Sequence, residues 1–170
     1  MNDERLTMSV KYNKAMAARK RGDYATAARL LRPLAQGDVD AQFTLGFMYE
    51  AGQGVVQDLK EAVKWFRLAA DQGDAHAQNN FGVMYYDGHG VVEDLKEAVK
   101  WYRLAADQGL APAQYNLALM YKDGQGVVQD HKEAVKWFRL AADQGDADAQ
   151  RELALMSDMR DMKIDSRTLH

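Results

Sequence analysis

Cysteine is absent from the 170 residues of this chain. Disulfides and thiolate-bound metals are therefore excluded, although the absence fixes no compartment. Proline occurs only twice, at Pro33 and Pro112, so little interrupts helix formation from within. No stretch approaches the roughly 18–20 consecutive apolar residues of a membrane-spanning helix, and no membrane insertion is expected. Met1 to Lys20 alternate polar and apolar side chains and lack the apolar run of a secretory leader. That pattern points to the cytoplasm. A chain whose leader had been removed would read identically and would belong in the periplasm or outside the cell.

Charge of either sign is not in large excess, since the net is −3, but it is unevenly placed. Residues 1–36 hold eight Lys/Arg against three Asp/Glu, a net of +5, which leaves −8 on the remainder. An acidic body argues against nucleic acid as a partner, because phosphate neutralisation dominates such binding. Arg19, Lys20 and Arg21 precede Gly22, where cations in a last helical turn complement the helix dipole. An anion-binding patch is the weaker reading of that triplet.

What the chain does have is a repeat. Gly37, Gly73, Gly109 and Gly145 stand 36 residues apart, as do Trp65, Trp101 and Trp137. Such a period signals stacked supersecondary units. Three full repeats span 37–72, 73–108 and 109–144. The expected organisation is one domain over 1–170, with capping helices in 1–36 and a capping helix plus polar tail in 145–170.

Each repeat reads as two helices. In the second, helix B, Asp58 stands three residues before Glu61 ahead of an apolar stripe, the arrangement of a capping box. Asp94/Glu97 and Asp130/Glu133 repeat it. Leu59, Ala62, Phe66, Ala69 and Ala70 share one helical face, with Trp65 beside it facing a neighbouring repeat. Gly73 suits the left-handed position that ends a helix, and Asp74 can cap the next one. Helix A is expected over 39–50, 75–86 and 111–122. Between A and B lies Gly52-Gln53-Gly54-Val55-Val56-Gln57, whose glycines supply positive φ and whose two valines tuck the loop onto the helices.

Catalytic chemistry is not apparent. The G-x-G loops follow a helix rather than a strand and have Gln57 where a third glycine would be needed, so they are not dinucleotide cradles. His76, His89, His131 and His170 are nowhere three to five residues apart, and no zinc, nucleophile-elbow or calcium-loop motif occurs. His131 takes the place of Leu59 and Leu95 and reads as a surface residue. The serines, Ser9, Ser157 and Ser166, lie at the edges of the array. Nothing assembles a nucleophile, a base and a stabilising group. No enzyme activity, metal or cofactor is expected.

The residues A-x-x-x-L-G-x-x-Y (Ala41, Leu45, Gly46, Tyr49), the G-x-G-V loop and D-x-x-x-A-x-x-W-[FY]-x-x-A-A-x-x-G (Asp58 to Gly73) resemble the Sel-1-like repeats, relatives of tetratricopeptide repeats. The resemblance covers about 37–156. It implies an all-α fold, a right-handed α/α solenoid (superhelix) whose A helices line the concave side, in proteins that are often bacterial. Departures gather at the ends. Residues 23–35 look like a helix B without its loop, and Ser157 stands where Tyr49, Tyr85 and Tyr121 stand earlier.

Within helix A, positions 41, 42, 45, 46, 48 and 49 are held or nearly so between repeats while 40, 43, 44, 47 and 50 change freely. The free positions form one helical face. From it we expect a partner-binding set of Phe43, Phe47 and Glu50 in the first repeat, Asn79, Asn80 and Tyr86 in the second, and Tyr115, Asn116 and Lys122 in the third. Aromatic anchors beside polar groups suit recognition of a peptide or protein. The competing reading makes Phe43 and Phe47 packing residues. The expected function is a non-catalytic scaffold or adaptor, monomeric or weakly self-associating. A purely structural or oligomerising module is the alternative, ahead of the hydrolase-like activity of cysteine-rich relatives.

Overall fold

A helix leaves its first N–H groups without carbonyl partners, and aspartates meet that need along this chain. In the computed structural model, which describes the backbone of residues 2–168 and the side chains of residues 7–157, Asp58 accepts the N–H groups of Lys60 and Glu61, each at 3.0 Å. Asp130 does the same for Lys132 and Glu133. Asp38, Asp74 and Asp146 cap the A helices that follow them. Leu110 takes this place in the third repeat and offers no side-chain cap.

The described residues form nine helices and no strand: α1 (Asn2–Lys20), α2 (Tyr24–Leu34), α3 (Val39–Ala51), α4 (Leu59–Asp71), α5 (Ala75–Asp87), α6 (Leu95–Asp107), α7 (Ala111–Asp123), α8 (His131–Asp143) and α9 (Ala147–Thr168). Helices α3, α5 and α7 are the A helices and run one residue beyond their expected ends. Helices α4, α6 and α8 are the B helices. Each A helix stops at a left-handed glycine, Gly52, Gly88 or Gly124. Helix α4 ends in a Schellman turn: Gly73 has φ +92°, and the Asp74 N–H reaches back to the Ala69 carbonyl at 3.2 Å.

The capping box is only half realised. Glu61 pairs with Lys64 at 3.0 Å instead of returning to the Asp58 N–H, which donates to the Tyr49 carbonyl at 3.0 Å. Asp94 and Asp130 donate likewise to Tyr85 and Tyr121, at 2.9 Å each. These bonds fold the end of each loop back onto its A helix, and Glu61, Glu97 and Glu133 pair with the lysines three residues on.

Two compact units emerge, Met1–Asp94 and Leu95–His170. In the first, Ala27, Leu31, Ala41, Leu45 and Met48 are buried together, with Trp65, Tyr24 and Val55 packed around them. Trp65 thus lies against a cluster that joins the preceding helices to α3 of its own repeat. A second cluster joins Ala62, Phe66 and Met84 to Phe43, Phe47, Val63 and Val91. In the second unit Ala134, Phe138 and Ala141 of α8 and Leu117, Ala118 and Met120 of α7 are buried.

The loop valines divide. Val55, Val91 and Val127 are half-buried, but Val56, Val92 and Val128 are 87–88 % exposed. The expectation that both valines tuck inward is corrected. Adjacent residues of an extended segment point to opposite sides, so only the first can meet the helices.

Buried glutamines tie consecutive helices together. Gln42 donates to the Ala35 carbonyl at 3.0 Å and accepts from Gln72 at 2.7 Å. Gln114 donates to Ala106 at 3.2 Å and accepts from Gln144 at 2.8 Å. A buried amide costs stability unless both its ends are satisfied, and this relay satisfies them. The constancy of position 42 between repeats follows.

Candidate interaction surface

Most variable positions of helix A lie on the side of α3, α5 and α7 away from Leu45, Phe81 and Leu117, which are fully or almost fully buried, but Thr44 and Asn79 are buried as well. In the first unit, Phe43 and Phe47 are half-buried and meet edge to face, with ring centroids 4.9 Å apart. Both lean on the buried ring of Phe66, at 5.8 and 5.2 Å. His76 of the next A helix lies 6.1 Å from Phe43. Each phenylalanine therefore completes the core with one edge and shows the other to solvent. Such rings are held rigid, which suits an anchor.

Asn79, the counterpart of Phe43 in α5, is only 9 % exposed, so its side chain belongs more to the interior than to a surface. Asn80 and Tyr86 are half-buried. Glu50 is also half-buried, and burial pushes its carboxyl above the ordinary value while the charge of His89 opposes that rise. A carboxyl with a raised folded-state pKa adds stability below its unfolded pKa and loses it as pH climbs through the folded value. Glu50→Gln is therefore expected to raise the unfolding midpoint slightly at pH 7, with the difference from wild type closing below about pH 4, the unfolded carboxyl range. Thermal melts at both pH values check this, and a lower midpoint at pH 7 would contradict it.

In the second unit, Tyr115 packs its ring 5.7 Å from Phe138. Burial raises the Tyr115 hydroxyl pKa, and the charges of Glu152 and Asp148 add to the rise. Lys122 bonds Glu152 of α9 at 3.0 Å, with both side chains about three-quarters buried. Burial by itself pulls the ammonium down, but the hydrogen bond and charge of Glu152 outweigh it and the net shift is upward. Asn116 is half-buried beside them. The nine residues thus fall on three A helices in two units: α3 and α5 in one, α7 in the other.

Two features escaped the sequence reading. Arg32 donates to the Tyr49 hydroxyl at 3.2 Å, and Arg103 donates to Tyr121 and lies over its ring, so these tyrosines tie a B helix to the next A helix. The second loop glycine also does more than adopt positive φ. At Gly90 a Cβ would lie 2.5 Å from the Leu59 carbonyl oxygen, and at Gly54 and Gly126 it would collide with the backbone of Tyr24 and Leu95. Each loop is seated on the start of the preceding B helix. The constancy of these glycines between repeats was the available signal.

Among the described residues no group of three or more His, Asp or Glu has the geometry to hold a metal ion, and no helix is long and apolar enough to cross a membrane.

Residues 39–74, 75–110 and 111–146 each match the family model described as Sel1 repeat. Among solved structures, the chain is similar to a Sel1 repeat protein from Oxalobacter formigenes, at 36 % identity and a TM-score of 0.81, covering 86 % of this chain and 61 % of that one. It is also similar to a protective antigen with an SLR fold present in uropathogenic Escherichia coli strains, at 36 % identity and a TM-score of 0.78, covering 92 % of this chain and 36 % of that one. The chain therefore spans less than two thirds of the length of either. The cysteine rich protein B of Helicobacter pylori shares the fold, at 22 % identity and a TM-score of 0.58, over 82 % of this chain and 95 % of that one. No curated protein matches the chain.

Proposed function

This chain belongs to the Sel1 repeat family, and from that premise we propose that it is a non-catalytic scaffold whose A helices hold a peptide or protein partner. The observation that carries this reading is the pair Phe43 and Phe47, half-buried rings braced on Phe66 at 5.8 and 5.2 Å at positions that differ in every repeat. Several residues needed for stacking do not differ: Ala41, Gln42 and Met48 are buried and recur as Ala77, Gln78 and Met84. Rigid aromatic edges supply contact area at little entropic cost, and Asn80, Glu50 and Lys122 supply orientation. Binding to a preformed surface also avoids the ordering cost that a flexible receptor meets.

Comparative affinity capture tests the reading. Wild type would be set beside a variant combining Phe43→Ala, Tyr86→Ala and Tyr115→Ala, and beside a control with Val56→Ser and Val92→Ser on the loops. Thermal melts would first establish that each variant is folded. Prey retained by wild type and control, but lost by the A-helix variant, is the expected result. Identical prey for all three proteins would sink the proposal.

A further inference from the structure

Position 50 of the repeat carries a charge in two of the three A helices, and the two units treat that charge differently. In the second unit it is Lys122, whose ammonium bonds Glu152 on the next A helix, α9, at 3.0 Å. Tyr115, which takes the place of Phe43, lies close enough to this pair for its hydroxyl to feel both charges. Two periods of 36 residues earlier, Lys122 becomes Glu50 of α3, Glu152 becomes Asn80 of α5 and Tyr115 becomes Phe43. The first unit therefore holds a carboxylate where the second has a cation. It holds a neutral amide where the second has that cation's partner.

Among the described residues, neither the Glu50 carboxylate nor the Asn80 side-chain amide has a hydrogen-bond or ion-pair partner. Only the backbone carbonyl of Glu50 is engaged, by Gln57 at 2.8 Å. Both residues are half-buried, and His89 acts on the carboxylate through space without an ion pair. A charge withdrawn from water and left unpaired costs stability, and nothing within the fold offsets that cost. Phe47 stands one helical turn before Glu50 on the same side of α3, and Phe43 one turn before Phe47. Their rings are 4.9 Å apart and braced on Phe66. An apolar floor thus adjoins an unpaired carboxylate and an unpaired amide. Helices precede α3 and follow α5 in the chain, so this face is not one that a further repeat at either end would cover.

We propose that Glu50 and Asn80 receive an arginine side chain of the peptide or protein that binds the A-helix face, with an apolar residue of the same segment on Phe43 and Phe47. This rests on the reading of that face as a binding surface and adds the chemistry of the partner. A guanidinium is planar, carries its donors in a fixed fork and is weakly hydrated. It can bond the carboxylate along one edge, donate to the amide oxygen with another N–H and keep its flat body beside the phenylalanine rings. A lysine ammonium is strongly hydrated and has no such fork. The charge of the chain favours the same partner, since residues 37–170 carry a net −8, which draws a basic segment toward them.

A random peptide library displayed on phage, selected against the full chain, supplies the probes. The expected consensus is an arginine close to an apolar residue. A selected peptide, labelled and titrated by fluorescence anisotropy, should bind Glu50→Gln at least about tenfold more weakly than wild type. Replacing the peptide's arginine by alanine should weaken binding as much and leave nothing further for Glu50→Gln to remove. Asp107→Asn deletes the same charge at an exposed place on α6 and should leave the affinity unchanged. Thermal melts establish that each variant is folded. Peptides that depend on Phe43 but carry no arginine, or that bind wild type and Glu50→Gln equally, would overturn this inference and leave the A-helix face as a binding surface. Equal weakening by Asp107→Asn would overturn it too, since net charge and not the site would then be acting. A selection that yields no peptide, or only peptides indifferent to Phe43→Ala, Tyr86→Ala and Tyr115→Ala combined, would remove both this inference and the binding face itself.

Discussion

Gly90→Ala is expected to lose about 3–4 kcal/mol of stability, whereas Gly73→Ala loses about 1–2 kcal/mol. Both glycines have positive φ, +76° and +92°, so both substitutions incur the left-handed penalty of an L side chain. Only Gly90 faces a neighbour: its Cβ would meet the Leu59 carbonyl oxygen at 2.5 Å and Val63 Cγ2 at 3.0 Å, while nothing lies within 4 Å of one at Gly73. Backbone cannot rotate out of the way as a side chain can, so the loop must lift from α4 and give up the packing of Val91. The difference between the two variants isolates that seating from the φ effect. Urea denaturation measures it through the midpoint at constant slope. Equal losses for the two would mean that the loop relaxes freely and does not join the repeats.

Phe66→Ala should cost about 3–5 kcal/mol, the range for deleting a buried aromatic. Its ring is fully buried and supports Gly46 from below and Phe43 and Phe47 from the side. Removing it leaves a cavity that the closely packed alanines around it cannot close, since they have no side-chain freedom to move in. A double-mutant cycle with Phe43→Ala should show a coupling of about 0.5–1.5 kcal/mol between the rings. No coupling would mean that Phe43 stands on the surface without support from the core. Phe66→Leu nearly conserves volume and should cost below about 1.5 kcal/mol, which allows binding to be measured on a folded protein.

Much of this fold was legible because its signals are local. The aspartate caps, the glycines at Gly73 and Gly52 and the apolar stripe from Ala62 to Ala70 each act within a turn or two of chain, so the pattern names both the element and its end. The half-formed capping box was not legible. Glu61 at the third position predicts a reciprocal bond, but the Tyr49 carbonyl, nine residues before Asp58, takes the Asp58 N–H first. The exposure of Val56 escaped for a related reason. Two successive valines look equally apolar in sequence, and only the direction of the loop across the preceding helix decides which one is covered.

The candidate surface divides in the same way. Variation between repeats separated positions 43, 47 and 50 from the packed positions 41, 42, 45 and 48, because packing restrains one face of a helix and leaves the other free. Variation could not tell Asn79, nearly enclosed, from Asn80, half open, since neither position is constant across the three repeats.

By itself, the sequence determined that the chain is a run of capped α/α repeats, since period, caps and amphipathic stripes are local and recur three times. Only the tertiary structure decided what joins one repeat to the next: the glycine backbone seated on a preceding helix and the glutamine relay from Gln72 through Gln42 to Ala35. These are contacts between segments about thirty residues apart. No local pattern encodes them, because they exist only once two helices have been brought side by side.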